Sequence, residues 1–253
     1  MVSTFSLSIV VPLWNEEANV VALVRSLGDS RTVREFGATA VLVDNGSADA
    51  TGRILDELAA TEPWMRVIHL AENLNYGGGI LEGVRQAAGE YICYLPGDLQ
   101  YSGYDLDRVV TRLYLHHQEG GRNVLVKGKR TTRADGAAAS IVSWTYTVLA
   151  KAVLGLGIDD VNGLPKAFHR SLLALLPTRT MINFVFDAQL LHCASMNRWK
   201  IEEIEVTFHK RNAGVSSWSG RRVHVYVRSL RDLFVVRRLG AAGRARERQG
   251  PRS

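Results

Sequence analysis

The first half of the chain alternates short apolar runs with segments of helical periodicity. The apolar runs have the length of strands and lie at 5–13, 38–43, 66–70 and 90–95. Apolar residues recur at helical spacing after each run, at 15–28, 51–60, 80–88 and 104–117. Strands that alternate with helices favour a mostly parallel sheet with helices on both faces. We therefore predict a Rossmann-like α/β fold whose ligands bind at the carboxyl ends of the strands.

The second half of the chain continues this pattern and ends in a basic segment. The predicted elements are strands at 123–127 and 200–208, a helix at 184–196 and a basic amphipathic helix at about 223–239. The apolar stretch 140–158 is almost long enough to span a bilayer, but Lys151 and two glycines favour a core helix or an in-plane helix. We expect one α/β domain over 1–220, followed by the basic helix and a tail over 221–253.

Composition places the chain among packed globular enzymes. The sequence is 46% hydrophobic and 22% charged, which excludes disordered and fibrous classes. Cys93 and Cys193 lie in apolar stretches, so neither a disulfide framework nor a zinc site is indicated, and a reducing compartment is favoured. The first eight residues lack the pattern of a secretory signal. We therefore expect a cytoplasmic protein.

Positive charge is concentrated at the carboxyl end. Residues 221–253 include ten arginines and two acids, while the whole chain has a net charge of +6. Such a segment favours an anionic membrane surface, on the inner face of the membrane, with a solvated tail as the alternative. A nucleic-acid partner is not expected, because the segment has no aromatic residues beyond Tyr226 and Phe234 interleaved with its arginines. The sequence leaves open whether the chain forms a homo-oligomer.

Polar residues follow three of the predicted strands at one edge of the sheet. These segments are 12–16, 44–49 and 96–100. Asp44 ends an apolar strand and faces the edge where ligands bind. Asp98 and Gln100 lie two residues apart in a loop, and oxygen ligands of this kind suit Mg²⁺ or Mn²⁺. A helix-capping role for Asp98 is the alternative.

Further candidates would hold the anionic part of a ligand. Basic residues that would clamp a diphosphate are Lys129, Arg130, Lys166, Lys210 and Arg211. Backbone amides at 77–79 would approach a ligand closely, although three adjacent glycines are also typical of a flexible loop. Asp160 and Asp187 are candidate bases, or else buried acids paired with Lys166 or Arg211.

Five segments, taken in order, resemble motifs of the family 2 glycosyltransferases with the GT-A fold. The similarity is greatest to the branch of dolichol-phosphate mannose synthase and related polyprenyl-phosphate sugar transferases, and it covers about residues 6–220. The segments are VVPLWNEE (10–17), VDNGSAD (43–49), LPGDLQ (95–100), GKR (128–130) and DVNGLPKAF (160–168). Asn45 stands where the family has a second Asp, and Pro96 where it has the first acid of its metal motif.

The resemblance implies a role for each candidate. The residues that would bind the nucleotide sugar are Pro12, Trp14, Glu16, Asp44, Gly78, Gly97, Lys129, Arg130 and Lys166. Asp98 and Gln100 would hold Mg²⁺ or Mn²⁺. Arg211 would contact the diphosphate or the acceptor phosphate, and Asp187 would orient neighbouring basic groups, so that Asp98, Arg211 and Asp187 form the expected catalytic set.

The resemblance also implies an inverting hexosyltransferase. Its donor would be a nucleotide-diphosphate sugar, GDP-mannose or a UDP-hexose, and its acceptor a polyprenyl or dolichyl phosphate. A phosphate acceptor needs no strong protein base, because a monoester is already largely ionised near neutral pH. Two alternatives stay open: a glycosyltransferase with a soluble small-molecule acceptor, and a nucleotide-sugar-binding protein without turnover.

Overall fold

The computed structural model describes residues 4–133, 137–210 and 228–240. The strands within these ranges are β1 (Leu7–Leu13), β2 (Thr39–Asp44), β3 (Met65–His69), β4 (Tyr91–Tyr94), β5 (Val124–Arg133), β6 (Lys166–His169) and β7 (Lys200–Phe208). The helices are α1 (Val20–Gly28), α2 (Arg31–Arg34), α3 (Thr51–Ala59), α4 (Asn75–Gln86), α5 (Gly103–Gln118), α6 (Ala137–Leu154), α7 (Ser171–Ala174), α8 (Phe186–Met196) and α9 (228–240). The predicted alternation of strands and helices is confirmed.

The strands form one seven-stranded sheet in the order β3-β2-β1-β4-β6-β5-β7. β1 pairs in parallel with β2 and β4, and β5 pairs in parallel with β7. β6 is antiparallel to both of its neighbours, β4 and β5. The prediction of a mostly parallel sheet is confirmed, but β6 was not predicted, since its four residues fall inside a segment read only for its motif.

Two apolar cores cover the two faces of the sheet, as the period-2 alternation of a strand requires. Within β1, Val10 points into one core, and Ile9 and Val11 point into the other. Helices α1, α3 and α5 bury apolar residues against the second face, while α4, α6, α8 and α9 cover the first. Full burial of one such aliphatic side chain contributes roughly 1.5–3 kcal/mol. Helices on both faces of the sheet are confirmed.

The first helix begins later than predicted. The predicted helical segment started at Asn15, but the Asn15 backbone has φ 53° and its side chain accepts a hydrogen bond from the backbone amide of Ala48. The chain therefore crosses to the 44–49 turn before α1 begins, and Asn19 occupies the N-cap position.

The glycines at 77–79 were expected in a loop, but they lie inside α4. The amides of Gly77 and Gly78 donate to the carbonyl of Ile182, at 2.7 and 3.1 Å. A Cβ at Gly77 would lie 2.7 Å from Cβ of Phe186. The glycines thus allow the start of α4 to pack directly on the 181–186 segment.

Helix α6 packs on the sheet with one side only. Tyr146 and Ala150 are buried in the core, while Ile141, Trp144 and Val148 are 62%, 66% and 42% exposed. Among the helices of the described ranges, none has both the length and the apolar character needed to cross a membrane. Residues 140–154 of the apolar stretch thus belong to helix α6, whose buried side packs in the core and whose other side carries an exposed apolar stripe, and residues 155–158 follow the end of the helix.

Candidate active site

The three predicted strand ends meet at one edge of the sheet. Leu13 at the end of β1 is in register with Asp44 at the end of β2. The amide of Leu95, just after β4, donates to the carbonyl of Val10 in β1 at 3.2 Å. A Cβ at Gly97 would lie 2.8 Å from Cγ of Leu13, so the 96–100 loop rests on the end of β1. The site is thus built from neighbouring strands, as parallel α/β folds require.

The loop after β1 presents Trp14 to solvent and ties down the residues around it. Trp14 is 41% exposed, whereas Glu16 is buried. The Glu16 carboxylate accepts a hydrogen bond from the amide nitrogen of Asn19 at 2.6 Å, and the Glu16 backbone amide donates to the hydroxyl of Thr51 at 2.8 Å. Glu16 therefore holds the loop in place. Pro12, two residues before Trp14, is half-buried, and the exposed ring of Trp14 is the one expected to contact the base.

Asp44 is fixed through both carboxylate oxygens. Oδ1 accepts a hydrogen bond from the amide of Ser47 at 3.0 Å, and Oδ2 lies 3.0 Å from Nδ1 of His69. The other ring nitrogen of His69, Nε2, lies 3.0 Å from Oδ1 of Asp56. Sequence reasoning missed His69 and Asp56, because neither belongs to a motif.

Asn45 uses both halves of its side-chain amide. Its oxygen accepts from the backbone amide of Leu74 at 3.0 Å, and its nitrogen donates to the carbonyl of Asn75 at 3.1 Å and to Oδ1 of Asn73 at 3.3 Å. An aspartate at this position would have no proton to donate to these oxygens. The amide therefore suits the turn that precedes α4, which accounts for the departure from the family motif.

Gly78 was predicted to offer its amide to a ligand. That amide donates to Ile182 instead, so it is already committed within the protein. The amides of Gly77 and Gly78 therefore serve to hold α4 against the 181–186 segment.

Asp98 and Gln100 occupy a tight loop that begins at Pro96. Leu99 between them has φ 60°, and Oδ1 of Asp98 accepts from the amide of Gln100 at 3.2 Å. The side-chain nitrogen of Gln100 donates to the carbonyl of His209 at 3.3 Å, and the amide of His209 donates back to the carbonyl of Gln100 at 2.9 Å. The loop is thus anchored to the end of β7.

The donor set of this loop fits a Mg²⁺ or Mn²⁺ ion that takes most of its ligands from elsewhere. Asp98 supplies a carboxylate, and Gln100, whose nitrogen is engaged, has its oxygen to offer, whereas Pro96 has no ligand atom. In the described part of the chain, no group of three or more His, Cys, Asp or Glu side chains is arranged to hold a metal. Two protein oxygens are few, but Mg²⁺ is commonly bound through one or two carboxylates together with substrate phosphates and water.

Arg130 and Asp160 form a buried ion pair with two parallel hydrogen bonds, both 2.7 Å long. Their side chains are only 8% and 11% exposed. Burial raises the pKa of Asp160, but the hydrogen bonds and charge of Arg130, helped by Lys127, hold it well below its usual value. Lys129 next to it makes a more exposed pair with Asp159 at 2.7 Å. The predicted diphosphate clamp is thus already engaged with acids of the 159–160 loop.

Lys166 and Asp187 form a second pair, which is completely buried. Nζ of Lys166 lies 3.0 Å from Oδ1 of Asp187, and the hydroxyls of Tyr94 and Tyr76 donate to Asp187 at 2.5 and 3.4 Å. Burial lowers the pKa of Lys166 to about 8, against the opposing charge of Asp187. The position of Asp187 agrees with the expected role of orienting a basic group.

A row of polar side chains that includes Lys166 crosses four neighbouring strands of the sheet. Tyr94, Lys166, Lys127 and Glu203 are paired in register on β4, β6, β5 and β7. Lys127 donates to Glu203 at 2.9 Å, and Glu203 in turn accepts from the amide of Asp160 at 3.1 Å. This network fixes the 159–160 loop against the strands. Arg211, which was predicted to contact the diphosphate or the acceptor phosphate, lies outside the described residues.

Comparison with known proteins decides the family. Residues 8–174 match the profile described as Glycosyl transferase family 2. The chain belongs to glycosyl transferase family 2. The predictions of this family and of a glycosyltransferase are therefore confirmed.

Curated relatives of this family 2 glycosyltransferase act on polyprenyl phosphates, according to their names. It is 27% identical over 239 residues to the dodecaprenyl-phosphate galacturonate synthase of Rhizobium johnstonii, covering 93% of this chain and 69% of that protein. It is 26% identical to the undecaprenyl-phosphate 4-deoxy-4-formamido-L-arabinose transferase of Pectobacterium carotovorum, covering 85% of this chain and 63% of the relative. It is 23% identical to the polyprenol monophosphomannose synthase of Mycolicibacterium smegmatis, covering 96% and 89%. The chain thus spans only about two thirds of the first two relatives.

Solved structures confirm the fold of this glycosyltransferase. Glucosyl-3-phosphoglycerate synthase from Mycobacterium tuberculosis, in complex with phosphoglyceric acid, superposes with a TM-score of 0.67 at 18% identity, over 90% of this chain and 79% of that one. The same enzyme with Mn²⁺, UDP and glucosyl-3-phosphoglycerate gives a TM-score of 0.64 over the same shares. The predicted GT-A architecture is confirmed.

Proposed function

We propose that this family 2 glycosyltransferase transfers a hexose from a nucleotide-diphosphate sugar to a polyprenyl phosphate, with inversion at the anomeric carbon. The observation that carries the proposal is the engagement of both candidate bases by cations, Asp160 by Arg130 and Asp187 by Lys166. Arg130 holds the pKa of Asp160 well below its usual value, which makes Asp160 a weak general base, and the oxygens of Asp187 are already contacted by Lys166 and by two tyrosine hydroxyls. Such a site suits an acceptor that is already an anion, as a phosphate monoester is near neutral pH.

The donor side of the proposal rests on the edge formed by Trp14, Asp44 and the 96–100 loop. Trp14 and Asp44 would contact the base and ribose of GDP-mannose or a UDP-hexose. Asp98 and Gln100 would hold Mg²⁺ or Mn²⁺, which when bound neutralises charge on the leaving diphosphate. Arg211 would contact the diphosphate or the acceptor phosphate. The names of the curated relatives support the transfer of a sugar to a polyprenyl phosphate.

The lipid part of the acceptor would lie along helix α6. Arg130, in the polar network of the site, donates to the hydroxyl of Ser143 on α6 at 3.0 Å. Trp144, the next residue, lies in the exposed apolar stripe with Ile141 and Val148. The stripe therefore starts next to the network, and a lipid phosphate entering the site would leave its apolar chain beside α6.

Helix α9 adds positive charge on the same side of the molecule. The ring of Tyr146 on α6 contacts that of Phe184, with centroids 4.9 Å apart and planes tilted by 51°, while Asp232 of α9 accepts a hydrogen bond from the neighbouring Asn183 at 2.8 Å. Further along, the ends of both helices reach His192. The helices thus run in the same direction, and the exposed residues of α9 are Arg228, Arg231, Phe234, Arg237 and Arg238. An apolar stripe beside a basic one fits an anionic membrane surface.

A matched pair of variants tests this proposal. Trp144→Glu places a charge in the α6 stripe, where Trp144 is 66% exposed, whereas Val21→Glu changes an apolar residue that is 53% exposed on α1, which covers the opposite face. We expect Trp144→Glu to reduce binding to phosphatidylglycerol vesicles and transfer to polyprenyl phosphate in those vesicles by at least tenfold, and Val21→Glu to change neither.

The same assay separates the alternatives. Equal loss in both variants, or no loss in either, would contradict the lipid-facing role of α6. Release of nucleoside diphosphate that depends on a soluble phosphate compound but not on the lipid would favour the soluble acceptor. Donor binding without release under any condition would favour a protein that only binds nucleotide sugars.

A further inference from the structure

His69, at the end of β3, connects the expected donor pocket to the surface of helix α3. Its two ring nitrogens each lie 3.0 Å from a carboxylate oxygen, one of Asp44 and one of Asp56. The side chain of Asp44 is almost buried, while that of Asp56 is 61% exposed. The ring therefore bridges an inner and an outer acid.

This bridge is favourable at both ends only when the ring is protonated. A neutral imidazole has one N–H, so its other nitrogen would face a carboxylate with a lone pair. The hydrogen bonds to Asp44 and then to Asp56 raise the pKa of His69. The charged groups that face the ring are these two acids, from β2 and α3. On α3, Arg53 and Glu57 pair with each other at 2.6 Å.

Helix α3 packs closely against the contact between Asp44 and His69, at a position where the chain has a glycine. A Cβ at Gly52 on α3 would lie 2.5 Å from Oδ2 of Asp44 and 3.2 Å from Nδ1 of His69. The other oxygen of Asp44 is held by the amide of Ser47. The plane of the Asp44 carboxylate is therefore set by a backbone amide on one side and by His69 on the other.

We propose that His69 is a positioning residue, whose imidazolium holds Asp44 in the orientation that receives the donor nucleotide, so that donor binding weakens when His69 loses its proton. This role rests on the proposed function, in which Asp44 contacts the base or ribose. The folded state favours protonated His69, because only the protonated ring can donate to both Asp44 and Asp56. The contact with both acids is therefore complete at low pH and is lost as the pH rises through the titration of His69. In the neutral ring, one of the two nitrogens no longer has a proton to donate to its carboxylate.

Asp56→Asn tests the proposal without altering Asp44, because Asp56 reaches the site only through His69. Glu57→Gln is its matched control: it removes the same charge from the next residue of α3, at 60% exposure, away from His69. The measurement is calorimetric binding of UDP and of GDP with Mg²⁺ between pH 5.5 and 8.5. Titration of the nucleotide phosphate is common to all proteins and cancels in the comparison.

We expect wild type and Glu57→Gln to lose affinity together as the pH rises. Asp56→Asn should show the same loss shifted to lower pH by about half a unit to one unit, since it removes one exposed carboxylate contact. His69→Gln should bind about fivefold more weakly at low pH, as the loss of one ordinary hydrogen bond implies, and it should lack this pH dependence. In the transfer reaction the change should fall on the donor KM and leave kcat unaltered.

Two results would overturn the proposal. One is a pH profile of Asp56→Asn that coincides with that of Glu57→Gln, and the other is a His69→Gln variant whose affinity follows wild type across the range. A wild-type protein that binds neither UDP nor GDP at any pH would instead refute the proposed function, and the role of His69 with it. Equal melting temperatures of His69→Gln and wild type would show that a lower affinity does not come from unfolding.

Discussion

We expect Arg130→Met to lower the free energy of unfolding far more than Lys129→Met, the same change at the neighbouring residue. Arg130 makes two hydrogen bonds of 2.7 Å to Asp160 and one of 3.0 Å to Ser143, with its side chain 8% exposed. Lys129 makes one contact of 2.7 Å to Asp159, and that pair is largely exposed. The two substitutions remove the same charge from adjacent residues of β5, so they differ chiefly in burial.

The expected loss of stability depends on how deeply each substitution leaves an unpaired acid buried. Without Arg130, Asp160 keeps a buried charge without its main partner, and breaking a buried pair in this way costs about 3–5 kcal/mol. For a chain of this size that corresponds to a fall in Tm of roughly 6–20 °C. An exposed pair such as Lys129 with Asp159 contributes about 0–1 kcal/mol.

The loss of stability caused by Arg130→Met should also depend on pH. Arg130 holds the pKa of Asp160 below its usual value, so the pair contributes stability above the unfolded pKa of about 4, and that contribution is lost as the pH falls toward the folded pKa. The difference between wild type and Arg130→Met should therefore keep its full size from pH 7 down to about pH 4 and shrink as the pH falls further.

Urea denaturation of wild type, Arg130→Met, Lys129→Met and Arg130→Met/Asp160→Asn measures this effect. The double variant should lose less stability than the sum of the two single variants, because it removes both charges. If Arg130→Met costs no more than Lys129→Met, Arg130 is not held by Asp160 in solution and is available to clamp a diphosphate, as the sequence suggested.

Three further predictions concern the donor site and the stability of the fold. Asp98→Ala should abolish turnover and the Mg²⁺ dependence of nucleotide binding while leaving the free energy of unfolding within about 0.5 kcal/mol of wild type, because Asp98 lies in a half-exposed loop; retained turnover would refute its role as a metal ligand. Gly52→Ala should weaken UDP or GDP binding several-fold, since its Cβ would lie 2.5 Å from Oδ2 of Asp44, and unchanged binding would show that Asp44 does not contact the nucleotide. Burial raises the pKa of Glu202, but hydrogen bonds from Arg112, His116 and Lys200 lower it to about 2. Wild type should therefore lose stability as the pH falls from about 4 to about 2, and Glu202→Gln should lose less stability over that range. Equal acid denaturation profiles of the two proteins would contradict this prediction.

The sequence predicted the elements whose signals are local. Apolar strands that end at polar turns predicted the edge where 12–16, 44–49 and 96–100 meet, because carboxyl ends of adjacent parallel strands must lie side by side. The strand 200–208 and the helix near 104–117 were predicted almost to the residue. These segments carry clear periodicity and capping, such as the capping box of Ser102 and Asp105.

The features that the sequence did not predict depend on contacts between distant residues. Glycines 77–79 read as a loop, and only the carbonyl of Ile182, about 100 residues away, shows why they are helical. Arg130 read as a free cation, because nothing in the sequence pairs it with Asp160, 30 residues later. The histidine bridge to Asp44 was missed because His69 and Asp56 carry no motif. Local patterns identify elements, whereas partners of charged side chains are set by the assembled sheet.

The central claim is that the sugar leaves a nucleotide diphosphate for a lipid phosphate. The most direct measurement uses UDP- and GDP-sugars radiolabelled in the sugar, with Mg²⁺ or Mn²⁺ and polyprenyl phosphate in phosphatidylglycerol vesicles, and follows the label into an organic extract. We predict lipid-dependent transfer of label from one of the donors, in step with release of nucleoside diphosphate, and none with Asp98→Ala. Release of nucleoside diphosphate with all label remaining in the aqueous phase would contradict the claim.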